Sequence, residues 1–372
     1  MPPEYTIERN HDHAEVPAIG VLFANLGTPD APTRPALKRY LKEFLWDPRV
    51  VELPRWKWWL ILNGIILNTR PRNSAKLYEK VWTEEGSPLL FITKRQAAAV
   101  ESALRAQIGN PVHVAVGMRY GNPSIDAGLE ELRGKQCRRI LIFPAYPQYS
   151  AVTTGSTFDA VADSLKLWRW VPGLRMVHHY HDHPGYISAL ANSIRETWKD
   201  GGPPDRLFFS FHGMPLRYLE NGDPYHCECL KTARLVAESL QLADGAWQVT
   251  FQSLFGKEEW LRPYTDETLE RYAQDKPGAS VDVLCPGFSA DCLETIDEIG
   301  RENRHVFEGA GGGRYRFIPC LNDAPEHTAA LADVALLEMA GWCTPAAEWN
   351  PDAVRSESEA RCQRARAAGS AR

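Results

Sequence analysis

The chain has 372 residues, long enough for two domains, and its 44% hydrophobic and 24% charged residues are typical of a soluble globular protein. A formal net charge of −5 excludes the broad positive field by which nucleic-acid-binding proteins attract their ligand. Residues 1–16 are polar and lack the apolar core of a secretory signal, so we expect a disordered N-terminus and a cytoplasmic protein. The longest apolar stretch, residues 58–67, contains Asn63 and Gly64 and is shorter than the roughly 20 residues of a membrane-spanning helix.

Short apolar runs alternate with helical patterns along the chain. The runs are bounded by Gly, Pro or polar residues and are apolar on both faces, which is typical of buried parallel strands. The predicted strands are residues 19–24, 112–116, 140–143, 207–211, 249–251, 281–284 and 315–318. Predicted helices between them include residues 91–108, 157–168 and 229–242. This alternation predicts wound α/β sheets.

The strands form two groups, separated by a soft boundary near residues 170–185. The simplest architecture is two similar α/β lobes, each with a parallel sheet flanked by helices, and a cleft between them. We assign residues 17–172 to the first lobe and residues 173–327 to the second. We predict that residues 328–343 form a C-terminal helix that packs back on the first lobe. The polar residues 344–372 are predicted to be a disordered or frayed tail.

Chemistry in wound α/β proteins collects in the loops at the carboxyl ends of the strands. The first strand is followed by NLGTPDAP, so the dinucleotide fingerprint G-x-G-x-x-G is absent there. The chain also lacks the P-loop sequence G-x-x-x-x-G-K-[ST] and the nucleophile elbow G-x-S-x-G. These absences exclude the P-loop and α/β-hydrolase classes.

His212 ends the apolar run LFFSF and is followed at once by glycine. In that place it suits four roles: a metal ligand, a base, half of a nucleophile pair, or a buried histidine whose ring is merely hydrogen-bonded. No companion nucleophile motif supports the third role. From the residues alone, the structural role and the functional roles of this histidine stay open.

Glu294, Glu298 and Glu302 are spaced at i, i+4 and i+8, which puts three carboxylates on one face of a helix. Such a row is commonly a solvated face. Here, however, it begins in the loop after the strand 281–284, which a parallel sheet would bring near His212. A histidine that faces a row of acids suits proton abstraction or the passage of a divalent cation.

Two groups of potential metal ligands are less specific. Cys227 and Cys229 are the only close pair among eight scattered cysteines, and with His226 they could contact a metal ion, but no second pair follows at zinc-ribbon spacing. The segment HHYHDH, residues 178–183, holds four histidines. We interpret it as a hinge or surface loop rather than as a metal cluster.

Residues 47–72 are dense in Trp and Ile and carry basic residues at both ends. This composition suits an interfacial segment or the lip of a pocket for a flat apolar ligand. Packing in a core would not by itself need Trp56, Trp58 and Trp59 so close together. We therefore favour a lip, with a core position as the alternative.

The loops, taken in order, resemble those of the ferrochelatase family, enzymes that insert ferrous iron into a porphyrin to make haem. The resemblance runs from about residue 19 to residue 342, and the set of motifs is highly specific although each motif alone is weak. The motifs are NLGTPDAP, YEKVW with GSPL, GMRYGNP, YPQYSAVTTGST, SFHGMP, GDPY, FQSLFGKEEWLRPYTDETL and PGFSADCLETIDEI.

The resemblance implies two Rossmann-like lobes of the chelatase type, with the porphyrin in the cleft. It implies that His212 accepts a pyrrole proton or binds the incoming metal, with Glu294 as its carboxylate partner. Glu298 and Glu302 are then an acidic path for iron or protons. The other residues that it places at the porphyrin pocket or its metal side are Arg70 near the propionates, Tyr78, Arg119, Tyr120, Ser150 and Trp260.

The resemblance implies no cofactor beyond the substrate Fe²⁺. Animal members hold a [2Fe–2S] cluster through a cysteine-rich C-terminal extension and one further ligand just after YPQYS. Here that position is Ala151 and the tail offers only Cys343 and Cys362, so we expect no such cluster. Some bacterial members use internal cysteines, which leaves Cys227 and Cys229 open.

We therefore expect a bacterial-type member of this family, a lyase that inserts Fe²⁺ into protoporphyrin IX, releasing two protons, in the last step of haem synthesis. The alternative is a chelatase for coproporphyrin III or another divalent metal. The alternative of another class is a non-catalytic, two-lobed protein that binds haem or a metal. We expect no nucleic-acid partner, a monomer with a dimer as alternative, and a peripheral contact with the inner membrane through residues 47–72.

Overall fold

The computed structural model describes residues 5–6, 14–256 and 258–369, so most of the predicted disordered segment 1–16 lies outside the described residues. The strands are β1 (Ala18–Thr28), β2 (Val112–Gly121), β3 (Cys137–Pro144), β4 (Gly173–Met176), β5 (Arg206–His212), β6 (Trp247–Gln252), β7 (Val281–Leu284) and β8 (Tyr315–Ile318). The α-helices are α1 (Arg34–Trp46), α2 (Arg55–Ile61), α3 (Leu67–Val81), α4 (Pro88–Gln107), α5 (Ile125–Gly134), α6 (Ser156–Leu165), α7 (Pro184–Lys199), α8 (Leu216–Glu220), α9 (Tyr225–Ser239), α10 (Thr265–Asp275), α11 (Asn303–Gly309), α12 (Pro325–Glu338) and α13 (Pro351–Ala367). Three π-helical segments are Leu62–Ile66, Ala151–Gly155 and Glu294–Glu302.

The two lobes are built on parallel sheets with the same strand order. The first sheet has the order β2-β1-β3-β4 and the second β6-β5-β7-β8. In each sheet the chain moves from the first strand to one side and then crosses to the other. The switch point therefore lies between β1 and β3 in the first lobe and between β5 and β7 in the second. Ligands of wound sheets bind outside the carboxyl ends of strands at such points. The predicted α/β architecture of two lobes is confirmed.

The first lobe ends later than the assigned residue 172, but within the predicted soft boundary near residues 170–185. The predicted end of the first lobe at residue 172 falls just before β4, which pairs in parallel with β3 from Arg139↔Gly173 to Ile142↔Met176. β4 is an edge strand whose side chains are exposed or half-buried, so its sequence lacks the apolar run by which buried strands are found. The first lobe therefore extends through Met176.

The central strands are buried on both faces, as their apolar runs predicted. Val21 and Phe23 of β1 pack in one apolar cluster, whereas Leu22, between them, packs in another on the opposite face of the sheet. The first of these clusters also contains Phe209 and Phe211 of β5. One continuous core thus joins the two sheets and holds the two switch points in a fixed relation.

The predicted C-terminal helix, residues 328–343, is observed as α12, which begins at Pro325 and ends at Glu338. It packs against α4 of the first lobe and equally against α7 of the second. Its buried residues include Ala330, Leu331 and Val334. The helix therefore bridges both lobes rather than covering the first alone.

The prediction of a disordered tail at residues 344–372 is wrong for residues 344–369. The N–H of Gly109 donates to the carbonyl of Thr344 at 2.9 Å, and the N–H of Thr344 donates to Oδ1 of Asn110 at 2.6 Å. The side chain of Trp349 packs directly on Gly109. A Cβ atom added at Gly109 would lie 2.0 Å from the Cβ atom of Trp349. The tail is ordered because it packs against the loop after α4. Composition alone does not reveal such a contact.

The last helix, α13, also has a local reason to form. Asn350 caps it by accepting the N–H of Ala353 at 3.0 Å, and Pro351 stands at its first position, where no N–H is needed. Two of its residues, Ser358 and Cys362, are buried. Across the described ranges, no helix is both long and apolar enough to cross a bilayer.

Candidate active site

His212 is the last residue of β5 and pairs with Gln252, the last residue of β6, at the switch point of the second sheet. Its Nδ1 lies 2.6 Å from the carbonyl oxygen of Gly213. Because a carbonyl can only accept, Nδ1 carries the proton, and in the neutral ring Nε2 holds the lone pair. The half-buried ring therefore offers Nε2 as a base or a metal ligand.

The surroundings of His212 fix its position. The hydroxyl of Tyr225, the first residue of α9, donates to the carbonyl of His212 at 3.0 Å. The rings of Trp260 and Phe288 lie with their centroids 6.5 and 6.4 Å from the imidazole. An aromatic pair around a histidine forms a wall suited to a flat apolar ligand.

The acidic row predicted on one helix face lies in the π-helical segment Glu294–Glu302 rather than in an α-helix. Glu294 and Glu298 are half-buried, and Glu302 is exposed. The row thus leads from solvent toward the interior. π-helical turns are rare and occur frequently at functional sites.

Glu298 is held by Ser253, the residue after β6. The N–H of Ser253 donates to one carboxylate oxygen at 2.7 Å, and its hydroxyl donates to the other at 2.5 Å. Burial raises the pKa of Glu298, although the bonds from Ser253 and the proximity of His212 act in the opposite direction. The charge of Glu294 also raises this pKa. Glu298 therefore takes up a proton more readily than an exposed glutamate.

Glu294 is surrounded by groups that stay neutral. The amide of Gln252 donates to its backbone carbonyl at 3.1 Å. Burial raises the pKa of the Cys292 thiol, and the charge and a hydrogen bond of Glu294 raise it further. The pKa of Tyr78 is likewise raised by burial and then by Glu294, so this predicted residue lies close to the carboxylate. The thiol and the phenol beside Glu294 therefore stay uncharged near neutral pH.

Arg119 and Tyr120 lie at the carboxyl end of β2 and bind Asp47, the first residue of the segment 47–72. The guanidinium of Arg119 contacts Oδ2 of Asp47 at 2.5 Å, and the fully buried hydroxyl of Tyr120 donates to the same oxygen at 2.8 Å. Burial acts to raise the pKa of Asp47, but these bonds and one from Ser156 hold it below its usual range. Both predicted residues therefore anchor the segment 47–72 through a buried carboxylate.

Ser150, the predicted pocket residue in YPQYS, is completely buried. Its hydroxyl donates to Oδ2 of Asp223 at 2.9 Å, and the N–H of Ala151 donates to the same oxygen at 2.8 Å. The carboxylate belongs to the GDPY loop before α9. Ser150 thus ties two motif loops together at the switch points of the two sheets.

Arg70 and Trp260 are the remaining residues that the sequence placed at the porphyrin pocket. The guanidinium of Arg70 in α3 lies 4.2 Å from the ring centroid of Phe255, in the loop after β6. Trp260 is half-buried, and within the described part of the chain its indole N–H has no hydrogen-bond partner. The exposed guanidinium of Arg70 suits a ligand that carries carboxylates, whereas the indole nitrogen of Trp260 is buried.

The Trp-rich segment 47–72 is split between core and surface. Trp58 is buried, and its indole N–H donates to the carbonyl of Leu45 at 2.6 Å. Its neighbours are exposed: Trp56 is 66% and Trp59 is 54% accessible, and Ile65 is 61% accessible. The alternatives of lip and core therefore apply to different residues of one segment.

Several residues of the site were missed by the sequence reasoning. Ser253 comes two residues after the predicted strand 249–251, so its place near a strand end was a usable signal. Asp297 is buried, and its Oδ2 forms an ion pair with Nζ of Lys80 in the first lobe at 3.3 Å. This ion pair joins the lobes beside the acidic row. This ion pair could not be predicted from the sequence, because its two residues are 217 positions apart.

A sequence profile of the family named Ferrochelatase matches residues 18–338. The chain is 58% identical over 362 residues to the ferrochelatase of Thioalkalivibrio sulfidiphilus, covering 97% of each chain. It is 56% identical over 343 residues to that of Hydrogenovibrio crunogenus, covering 91% of this chain and 90% of the relative. The structure of SirB from Bacillus subtilis with Fe³⁺ superposes with a TM-score of 0.51 over 87% of this chain and 97% of that one, at 14% identity, a likeness of fold alone. This chain therefore belongs to the ferrochelatase family, the ferro-lyases of haem synthesis.

Proposed function

We propose that the protein inserts Fe²⁺ into protoporphyrin IX at His212, and that the acidic row Glu294, Glu298 and Glu302 carries the displaced protons to solvent. The observation that supports this most is the tautomer of His212. Its Nδ1–H is bound to a carbonyl, so the lone pair of Nε2 is free at the switch point of the second sheet. A neutral imidazole of this kind accepts a proton or exchanges a water on an arriving ion.

The reaction needs two proton acceptors, because a free porphyrin carries two N–H groups where the metal must sit. His212 accepts one of the two protons, and the half-buried carboxylates Glu294 and Glu298 accept the other. The raised pKa of Glu298 suits a relay, since a group that is too acidic would not accept the proton. From Glu298 the proton reaches the exposed Glu302 and then water.

The aromatic and basic groups of the cleft suit the shape of the substrate. Trp260 and Phe288 offer flat surfaces beside the imidazole. The exposed guanidinium of Arg70 pairs with a propionate. Such remote contacts provide binding energy that distorts the macrocycle and points a nitrogen lone pair at the ion.

We further propose that the exposed face of residues 47–72 contacts a membrane surface. Trp56, Trp59 and Ile65 present apolar side chains beside the basic residues Arg55 and Lys57. Tryptophan and basic side chains are the combination that favours the interfacial region of a bilayer. A contact of this kind would take a poorly soluble porphyrin directly from the lipid.

The test is anaerobic metal insertion, followed by the Soret and Q bands, with ferrous iron and either protoporphyrin IX or coproporphyrin III. We expect protoporphyrin IX to give the higher kcat/KM. His212→Ala and Glu294→Gln should each lower kcat by about 10²–10⁴-fold, the range of a lost acid–base group. His305→Ala, which changes an exposed histidine of α11, is the matched control and should retain activity.

Wild-type turnover by either variant would contradict the assigned roles. Faster insertion into coproporphyrin III would overturn the substrate preference. Binding of porphyrin without any insertion would make the protein a carrier.

A further inference from the structure

The segment HHYHDH meets the first turn of α9 away from His212 and the acidic row. Nδ1 of His179 lies 2.7 Å from Oε1 of Glu228, and Nδ1 of His181 lies 3.3 Å from Oε2 of the same carboxylate. One ligand atom from each of the three residues lies within 4.8 Å of the other two. From the sequence we interpreted HHYHDH as a hinge or surface loop, and Glu228 lies 49 positions beyond His179. The fold instead gathers three metal-ligating side chains.

The cluster is mostly withdrawn from solvent. His181 is 3% and Glu228 is 7% accessible, whereas the side chain of His179 is 40% accessible. The buried Nδ1 of His181 has no hydrogen-bond partner in the described part of the chain, because its contact with Glu228 lacks the alignment of a hydrogen bond. Buried polar atoms are nearly always paired. A buried ring nitrogen that lacks a hydrogen bond and faces a carboxylate is the arrangement expected of two metal ligands without their ion.

The side chains of the cluster are held by further contacts. Oε2 of Glu228 accepts the N–H of Tyr149 at 2.7 Å, and the hydroxyl of Thr232 donates to the carbonyls of both His181 and Glu228 at 2.9 and 3.0 Å. Metal sites are characteristically supported in this way, since bonds to the ligands orient them before the ion arrives.

We propose that His179, His181 and Glu228 bind a divalent transition-metal ion of the Zn²⁺ or Fe²⁺ type, at a second site separate from the porphyrin-binding cleft. Two imidazoles and one carboxylate form a donor set of such ions, whereas Mg²⁺ and Ca²⁺ prefer oxygen alone. Two ligand atoms at about 2.0–2.2 Å from one ion lie about 3.4 Å apart in a tetrahedral site, so the 3.3 Å contact of His181 already fits and the 2.7 Å contact of His179 would widen slightly. The exposed edge of His179 leaves one position to water.

Neighbouring cysteines are not part of this donor set. Cys227 is exposed and Cys229 is completely buried, and residues two apart point to different sides of a helix. They therefore do not form the joint pair that the sequence left open. Cys227 precedes Glu228 directly, so a thiolate ligand is a distinguishable alternative.

The site would couple the motif loops to the catalytic histidine. Glu228 stands one helical turn after Tyr225, whose hydroxyl holds the carbonyl of His212. The same carboxylate holds Tyr149 in the YPQYS loop. A bound ion would therefore fix α9 and this loop together and raise the thermal stability of the folded chain, because it binds only the folded state.

The experiment uses the metal-free full chain carrying His212→Ala and Glu294→Gln, which suppresses binding in the cleft. Equilibrium dialysis against Zn²⁺ alone, with the bound metal measured by mass spectrometry, should give one ion per chain. In this background His179→Asn and Glu228→Gln should each weaken binding by at least about tenfold, since even supporting groups of a metal site cost about 10–100-fold. Glu228→Gln retains an acceptor for Tyr149, which protects the fold. The matched control His305→Asn changes an exposed histidine of α11 outside the cluster and should bind as the background does.

Two further readouts make the result decisive. Co²⁺ in the same background should give the intense visible bands of a four- or five-coordinate site, and Zn²⁺ should raise the melting temperature only where all three ligands are present. Absence of binding to the background chain, or equal binding by the Asn and Gln variants, would overturn the proposal. A sulfur-to-cobalt charge-transfer band that disappears in Cys227→Ser would overturn the assignment of the three ligands.

Discussion

Ser253 donates hydrogen bonds to both oxygens of the Glu298 carboxylate, one from its N–H at 2.7 Å and the other from its hydroxyl at 2.5 Å. It does so with a φ of 66°, in the left-handed region that a non-glycine residue seldom adopts. The geometry follows from the end of β6, where the chain turns away from Gln252 and directs its next N–H at the acidic row. Ser253 therefore positions Glu298, and in the proposed mechanism it is a positioning residue for the proton path.

Replacing Ser253 with alanine should shift the pH dependence of metal insertion. The hydroxyl bond favours the ionised form of Glu298, so its loss raises the pKa of that carboxyl further. A carboxyl that is protonated cannot accept a proton, and the acid limb of the kcat/KM profile should move to higher pH. The measurement is the profile of Ser253→Ala against that of the wild type.

Ser253→Gly is the matched variant for this prediction. It loses the same hydroxyl but relieves the positive φ, so it should unfold in urea with a free energy about 1 kcal/mol above that of Ser253→Ala. Both variants should show the same displaced acid limb. If the acid limb instead moved further in the less stable variant, the effect would be structural.

Exposed residues of the segment 47–72 should be required for binding to lipid. Trp56→Ser combined with Ile65→Ser should abolish sedimentation with phosphatidylglycerol vesicles while leaving the melting temperature unchanged, because both side chains are mainly in water. Leu337→Ser on α12 removes an equally exposed apolar residue, 66% accessible, and serves as control. Unchanged sedimentation of the double variant would contradict the membrane contact.

His327 should make the fold sensitive to acid. Burial lowers its pKa to about 4, and its Nδ1–H donates to the carbonyl of Asn322 at 2.8 Å. The unfolded histidine titrates near 6.5, so between pH 6.5 and 4 only the unfolded chain binds this proton. The free energy of unfolding therefore falls as the pH is lowered through that window, by on the order of 3 kcal/mol for this residue.

The comparison of wild type with His327→Gln isolates this contribution, since glutamine can keep a donor for Asn322 but does not titrate. Urea unfolding at pH 6.5 and pH 4.5 should show a smaller loss of stability for the variant. His305→Gln changes an exposed histidine and should behave as the wild type does. Parallel losses for all three proteins would remove His327 as the cause.

The C-terminal segment should contribute stability through Trp349 rather than through α13. Deletion of residues 351–372 should keep the activity and most of the stability. Deletion of residues 344–372 also removes the indole from Gly109 and should lower the free energy of unfolding by about 2 kcal/mol, the value for burial of part of a large side chain.

Gly109→Ala tests the same contact without a deletion. Its Cβ would displace Trp349, so the substitution should destabilise the full chain but add nothing to the longer deletion. Additive effects of the two changes would show that the contact is not shared.

Much of the site could be predicted because its signals are local. Strands buried on both faces leave continuous apolar runs, and His212 stands out because its run ends there. The spacing of Glu294, Glu298 and Glu302 is enough to place them on one face of a helix. Even the meeting of that row with His212 follows from the rule that parallel strands end at one edge of a sheet.

Which of those residues touch, and which are buried, depends on the tertiary structure. Tyr120 was expected at the porphyrin, but the fold buries its hydroxyl on Asp47, 73 positions away. Glu228 contacts His179 and His181 only in the folded chain, since it lies 49 positions beyond His179. The buried strands, the family and the residues at the strand ends follow from the amino-acid sequence alone, because periodicity and motifs are read within a few residues, whereas the exposed strand β4 and the helix α13 did not. Burial, hydrogen-bond partners and pKa depend on groups far along the chain, so they are set only in the folded arrangement.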